Sequence, residues 1–165
     1  MSSDPNLAAG QDRALRDHLL ELLNSRSAHL DFDKAVGGLP AGLRGRKAPG
    51  LPHTVWQLVE HLRIAQLDIL DFSRDPGYQE LPFPDGYWPA TEAPPSEEAW
   101  EQSVEAFRRD LQAMKDLVAD PRTDLFAKIP WGSGQTILRE AMLVADHNAY
   151  HLGQIVLVRQ GLGAW

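Results

Sequence analysis

Asp146-His147-Asn148-Ala149-Tyr150-His151-Leu152-Gly153-Gln154 lies inside a run from Thr136 to Gln160 that holds no proline and repeats its apolar residues at helical spacing. Residues four apart on a helix share a face, so the imidazoles of His147 and His151 project side by side, one turn apart. Two histidines so placed form a bidentate grip for a borderline divalent metal such as Zn²⁺, Ni²⁺ or Fe²⁺. Exposed His-x-x-x-His pairs also arise by chance. The metal reading gains weight if another buried helix supplies a third imidazole, and His61 is a residue so placed.

Three more helical runs surround this one. The first extends from about Gly10 to Ala28, with Leu15, Leu19, Leu22 and Leu23 as its apolar stripe. The second opens on a capping box, Thr54-Val55-Trp56-Gln57, and reaches about Phe72, with Val55, Leu58, Val59, Leu62, Ala65 and Ile69 on its apolar face. Pro95-Ser96-Glu97-Glu98 starts the third, an N-cap serine followed by acids in the first turn. It runs to about Ala119 over Trp100, Val104, Phe107, Leu111, Met114 and Val118. The fourth starts near Thr136 and stops at Gly161, read as the C′ glycine. The Pro/Gly-rich segments 31–53, 73–95 and 120–135 show no strand alternation, and loops of that length usually cover a site or an interface. Tyr78, Phe83, Tyr87 and Trp88 in the middle segment predict an ordered lid. The expected fold is all-α, a four-helix bundle with long Pro/Gly-rich connections, a single domain over residues 1–165. Such a bundle builds metal sites from inward-facing side chains on different helices.

At 165 residues the chain is long enough to bury a core without staples. It has no cysteine, which excludes disulfides, thiolate ligands and a cysteine nucleophile and agrees with a reducing cytoplasm. Its 43% hydrophobic and 24% charged composition is that of a globular protein. There is no long uncharged apolar stretch, and residues 1–10 lack a basic start followed by an apolar core, so a soluble protein with no membrane partner is expected. A net charge of −7 argues against nucleic acid as a partner. The short basic cluster Arg44-Gly45-Arg46-Lys47 reads as a solvated loop rather than an anion site.

His61 lies between Gln57, Leu58, Ala65 and Asp68, on the border of the apolar stripe and a polar seam. A lone histidine there is more often a hydrogen-bonded helix residue than a ligand. The row around His147 and His151 is largely apolar, and burying unpaired polar groups costs roughly 1–3 kcal/mol each. One shared metal satisfies three imidazoles together. Three histidines also leave a coordination position open, as catalytic rather than structural sites do, for a water, a thiol or a carbonyl. Gln154 and Asp68 each lie seven residues beyond a histidine, on its face, and either could orient a ligand. Tyr150 and Gln57 complete the polar seam. Ordinary helix-surface roles compete with these assignments. His18, His29 and His53 read as boundary, helix-end and loop residues, and Trp88 as a residue near the site entrance. A phosphate loop, a Ser/Thr nucleophile motif, His-Glu-x-x-His and Glu-x-x-His are all missing, which lowers the case for nucleotide hydrolysis, zincin proteolysis and di-iron chemistry.

These residues resemble the DinB-like (DinB/YfiT) superfamily of small helical metalloproteins. The likeness covers most of the chain: Leu51-Pro52-His53-Thr54-Val55-Trp56-Gln57-Leu58 into Glu60-His61-Leu62, Gln66-Leu67-Asp68-Ile69-Leu70, Tyr87-Trp88-Pro89, Trp100, the block Asp146–Gln154, and Arg159-Gln160-Gly161-Leu162-Gly163-Ala164-Trp165. The Asp146–Gln154 block is the specific part. The resemblance implies an up-down-down-up four-helix bundle, often a homodimer, with a divalent metal on His61, His147 and His151. Members with assigned activities include metal-dependent hydrolases and thiol S-transferases that use mycothiol or bacillithiol. The expectation is therefore a cytoplasmic, homodimeric, zinc- or nickel-dependent enzyme (iron as a third candidate) that acts on a small molecule, either as a transferase using a low-molecular-weight thiol or as a hydrolase. A non-catalytic metal-binding or stress-response module is the alternative. Broad apolar helix faces, with Trp100 and Trp165, exceed what one core needs and point the same way on dimerisation.

Overall fold

Helices begin where a side chain can accept from amides that have no partner in the first turn. In the computed structural model, which describes residues 5–25 and 28–165, Asp31, Thr54, Ser96 and Thr136 each do so. The helices are α1 (Pro5–Leu23), α2 (Phe32–Val36), α3 (Val55–Arg74), α4 (Glu97–Ala119) and α5 (Ile137–Gly161), with 3₁₀ turns at Ala41–Leu43 and Asp85–Tyr87. Thr54 and Gln57 close the capping box in both directions, each contact at 3.1 Å. Among the described residues the protein is all-helical, and β pairing is limited to an isolated bridge between Lys128 and Thr136.

Several boundaries differ from expectation. α1 starts at Pro5 and stops at Leu23, and positions 26 and 27 of the expected first helix lie outside the described residues. Leu22 is exposed, so the stripe of α1 is carried by Leu19 and Leu23, with Leu15 partly buried beside them. α2 falls within a segment read as a loop: Asp31 caps it, and Phe32, Ala35 and Val36 turn inward. Five residues are too few to display a helical period. At the far end of α5, Gly163 (φ 66°), not Gly161, is the left-handed residue. Ala164 N–H donates to the Arg159 carbonyl at 2.9 Å and Gly163 N–H to that of Gln160 at 3.0 Å, a Schellman closure. Gly161 is glycine for another reason. A Cβ there would lie 2.8 Å from the Cβ of Ala48.

α3 and α1 each pack against both α4 and α5. One apolar cluster joins α2, the first half of α3, Trp100 to Phe107, and the last third of α5, with Phe32 stacked on Phe107 at 3.8 Å. A second joins Leu19 and Leu23, Leu70, Met114, Val118, Leu125, Ile129 and the start of α5. Trp100 is buried beside Trp56 with Arg44 over its ring, so it is not surplus apolar surface. Two buried arginines tie ends together. Arg16 donates to the carbonyls of Val118, Asp120 and Thr123, and Arg159 to those of Ala35, Gly37 and Ala164.

Between the clusters lies a polar layer. Gln66, fully buried on α3, donates to the Phe107 carbonyl of α4 at 2.8 Å and accepts from Asn148 Nδ2 of α5 at 2.9 Å. The carbonyl of Phe107 forces the orientation of the Gln66 amide, which in turn forces that of Asn148. One bridge therefore sets the rotation of α5 against α3.

Candidate metal centre

His61 comes from the middle of α3, and His147 and His151 from successive turns of α5. Their rings meet. His61 Nε2 lies 3.1 Å from His151 Nε2 and 3.1 Å from His147 Nε2, and one ligand-capable atom of each ring falls within 4.8 Å of the others. His61 and His151 are buried, His147 nearly so.

The outer nitrogens decide where the protons are. His61 Nδ1 lies 2.8 Å from the Tyr87 carbonyl and His151 Nδ1 lies 2.8 Å from Gln154 Oε1. Both oxygens can only accept, so both Nδ1 atoms carry hydrogen, and each neutral ring turns its Nε2 lone pair inward. Two lone pairs thus face each other at 3.1 Å. His147, whose Nδ1 is buried without a partner, can place one proton on Nε2, which is not enough to satisfy both. A proton is also unwelcome. Burial, then the neighbouring imidazoles, lowers His147 to about 3, and burial is the leading cause of lowered values at His61 and His151. Neutral, inward-facing nitrogen donors in a nearly dry setting suit a borderline divalent cation.

The flanking residues take distinct places. Gln154 orients His151. Asp68 does not touch the rings: its carboxylate accepts from the hydroxyls of Tyr78 at 3.0 Å and Tyr87 at 2.9 Å. Burial raises the Asp68 carboxyl above its ordinary value, while the two hydroxyls work to lower it, and Tyr87 is pushed up to about 12 by burial and by Asp68. Gln57 is committed to the Thr54 cap. Tyr150 is exposed, its ring edge-on to His151 at 4.9 Å. His18 and His29 are exposed. Two residues of the connecting segments contribute as well: Trp88, expected near the site entrance, and His53, expected only as a loop residue. Trp88 lies flat on His61, with centroids 4.0 Å apart and planes within 4°, and His53 stacks on the other face of the indole at 4.2 Å. The Tyr87 acceptor is a backbone carbonyl, for which sequence carries no signal. The Arg44–Lys47 cluster pairs with acids, Arg44 with Glu97 and Lys47 with Glu92.

The class so defined is a helical protein in which two helices bring three imidazoles to one point. The chain belongs to the DinB superfamily, whose sequence model matches residues 13–155, a span that includes all three histidines. Neither a curated protein nor a solved structure matches it.

Proposed function

We propose that the chain is a metal-dependent enzyme acting on a small molecule, with Zn²⁺ or Ni²⁺ (or Fe²⁺) held by the Nε2 atoms of His61, His147 and His151. The observation that carries this reading is the pair of lone pairs facing each other at 3.1 Å, with both outer protons committed to acceptors. Bound there, the metal supplies Lewis acidity toward a thiol, a water or a carbonyl oxygen. The chain's own groups hold the donors: the Tyr87 carbonyl and Gln154 orient two rings, and Trp88 keeps water from one face of His61. The rings' polar partners are carbonyl oxygens of backbone and amide, not carboxylates. A hydrolase calls for a base placed beside the reacting water. That favours thiol S-transfer with a low-molecular-weight thiol over hydrolysis. A non-catalytic metal-binding module is the second reading, favoured by the burial of His61 and His151 beneath Trp88.

The same proposal takes the chain as one domain, an up-down-down-up four-helix bundle. In its support, α3 and α4 both start in one apolar cluster and end in the other, and α5 runs the opposite way. α1 passes the end of α4 at Arg16 and reaches the level of Phe107 at Leu23. A homodimer is supported by Met142, Tyr150 and Leu157, exposed along one face of α5. No helix among the described residues is long and apolar enough to cross a membrane. The cysteine-free composition agrees with a cytoplasmic location.

The test is elemental analysis of the wild type against the His61→Ala/His147→Ala/His151→Ala variant. Metal bound to the wild type and lost from the variant supports the centre, and undiminished metal in the variant refutes it. In Co²⁺-loaded protein, a sulfur-to-metal charge-transfer band on adding a low-molecular-weight thiol supports the transferase reading. Thiol-independent cleavage of esters or amides that is lost in His151→Ala supports a hydrolase instead.

A further inference from the structure

The segment 75–91 leaves the end of α3 and returns over the same helix. Its two ends are anchored apart from the histidines. Tyr78 packs edge-on against Phe72 at 5.2 Å, and at the other end Thr91 Oγ1 accepts from Trp56 Nε1 at 3.0 Å. Its middle touches α3 twice through one residue. The Tyr87 hydroxyl donates to Asp68, and the Tyr87 carbonyl accepts from His61 Nδ1. Seven residues separate His61 from Asp68, two helical turns, so both face the segment.

We propose that Asp68 is a positioning residue: through Tyr87 it holds the segment 75–91 closed as a clasp that fixes both the tautomer and the ring plane of His61. An imidazole on a helix keeps two freedoms, the rotation of its ring and the choice of which nitrogen carries the proton. The Tyr87 carbonyl settles the proton, because an acceptor opposite Nδ1 requires the hydrogen there and leaves Nε2 bare toward His147 and His151. Trp88, the next residue, settles the rotation by lying flat on the ring, and His53 backs the indole from behind. Both constraints depend on where Tyr87 sits, and its hydroxyl on Asp68 determines that. Tyr78 occupies the other carboxylate oxygen, so the carboxylate gathers both arms of the segment onto one point of α3. Losing the Tyr87–Asp68 link releases the middle of the segment while both ends stay anchored. The helices remain, and His61 regains its freedoms.

The test uses Tyr87→Phe, Asp68→Ala and their double variant, with Tyr78→Phe as a control that spares the link to Tyr87. In metal-free protein, imidazole ¹⁵N–¹H spectra should show wild-type His61 as a single Nδ1–H tautomer with a slowly exchanging proton. Tyr87→Phe and Asp68→Ala should both give a tautomer mixture and fast exchange, and Tyr78→Phe a smaller change. Zn²⁺ affinity should fall about ten- to hundredfold in either single variant, and no further in the double than in Asp68→Ala, because Tyr87→Phe cuts a link that Asp68→Ala already removes. A folded Tyr87→Phe protein that keeps the wild-type His61 tautomer and Zn²⁺ affinity overturns the clasp, and so do single effects that add in the double. The affinity arm alone rests on the metal reading. If the wild type binds no Zn²⁺, that reading fails, and the spectra decide the clasp: a retained tautomer in both variants refutes it, a lost one upholds it.

Discussion

Replacing Gln66 by leucine probes the polar layer that sets α5 against α3. The two side chains are close in volume, so the change removes hydrogen bonds without opening a large cavity. Gln66 is fully buried, and its amide serves the Phe107 carbonyl and Asn148 Nδ2. Asn148 Oδ1 already lacks a partner. Gln66→Leu therefore strands the whole Asn148 amide in a nearly dry place. An orphaned buried group costs roughly 1–3 kcal/mol, and the lost bond to Phe107 adds about 1 kcal/mol, offset in part by the buried leucine. A net loss of about 2–3 kcal/mol is expected. Asn148→Leu should cost less, about 1–2 kcal/mol, because it orphans Gln66 Oε1 but also removes the unpartnered Oδ1. The double variant has no polar group left to satisfy at the Gln66–Asn148 contact and should be less destabilised than Gln66→Leu alone. Urea unfolding of the three metal-free variants measures this at unchanged denaturant slope. If the double variant's loss equals the sum of the singles within about 0.5 kcal/mol, the two amides are independent and the bridge does not act as a unit.

Acid should destabilise the metal-free protein. His147 is held at about 3 in the fold against an ordinary 6.5, so between those values the unfolded chain binds a proton that the folded one refuses. Stability is then complete above about pH 6.5 and falls as pH drops toward 3, by an amount on the order of several kcal/mol, with His61 and His151 acting in the same direction. Thermal melts of chelator-treated protein from pH 7 to 4 should show the decline and His147→Gln should flatten it; a wild-type profile identical to that of the variant would refute the assignment. Two glycines of α5 should respond in opposite ways. Gly161→Ala, pressed on Ala48, should lose about 1–3 kcal/mol, whereas Gly153→Ala, with open space around its added carbon, should gain about 0.5–1 kcal/mol. Chemical denaturation of both variants checks the pair, and equal losses would contradict the packing described.

Long helices are legible in this sequence because their caps and their apolar period agree. Thr54 with Gln57, Ser96 and Thr136 mark starts that the structure reproduces within a residue or two. α2 is not legible, since one turn and a fraction displays no period. α5 ends at Gly161 as expected, but its left-handed glycine is misassigned because two glycines stand two residues apart, and only the backbone tells which one turns left-handed. The meeting of three imidazoles is legible from four-residue spacing on one helix and a polar–apolar border on another. The groups that orient them are less so. Gln57 lies on the face of His61, but the capping box visible in the same four residues claims its side chain. Asp68 lies on that face too, yet it reaches His61 through a tyrosine nineteen residues further along the chain. A backbone carbonyl and a stacked indole come from a connecting segment whose path no helical period records.

The triad straddles a seam. One imidazole belongs to α3, which carries the segment 75–91 with it, and two belong to α5. No single helix contains the site, so the spacing of the three nitrogens reports the spacing of two helices. A slide of a few tenths of an ångström along that seam passes directly into the triad, because packed helices shift as stiff rods. The outer face of α5, with Met142, Tyr150 and Leu157, backs onto the turns that carry His147 and His151. Pressure on that face is therefore mechanical leverage on the grip of the histidines, and a substitution far from any ring can tighten or loosen it without altering a donor atom.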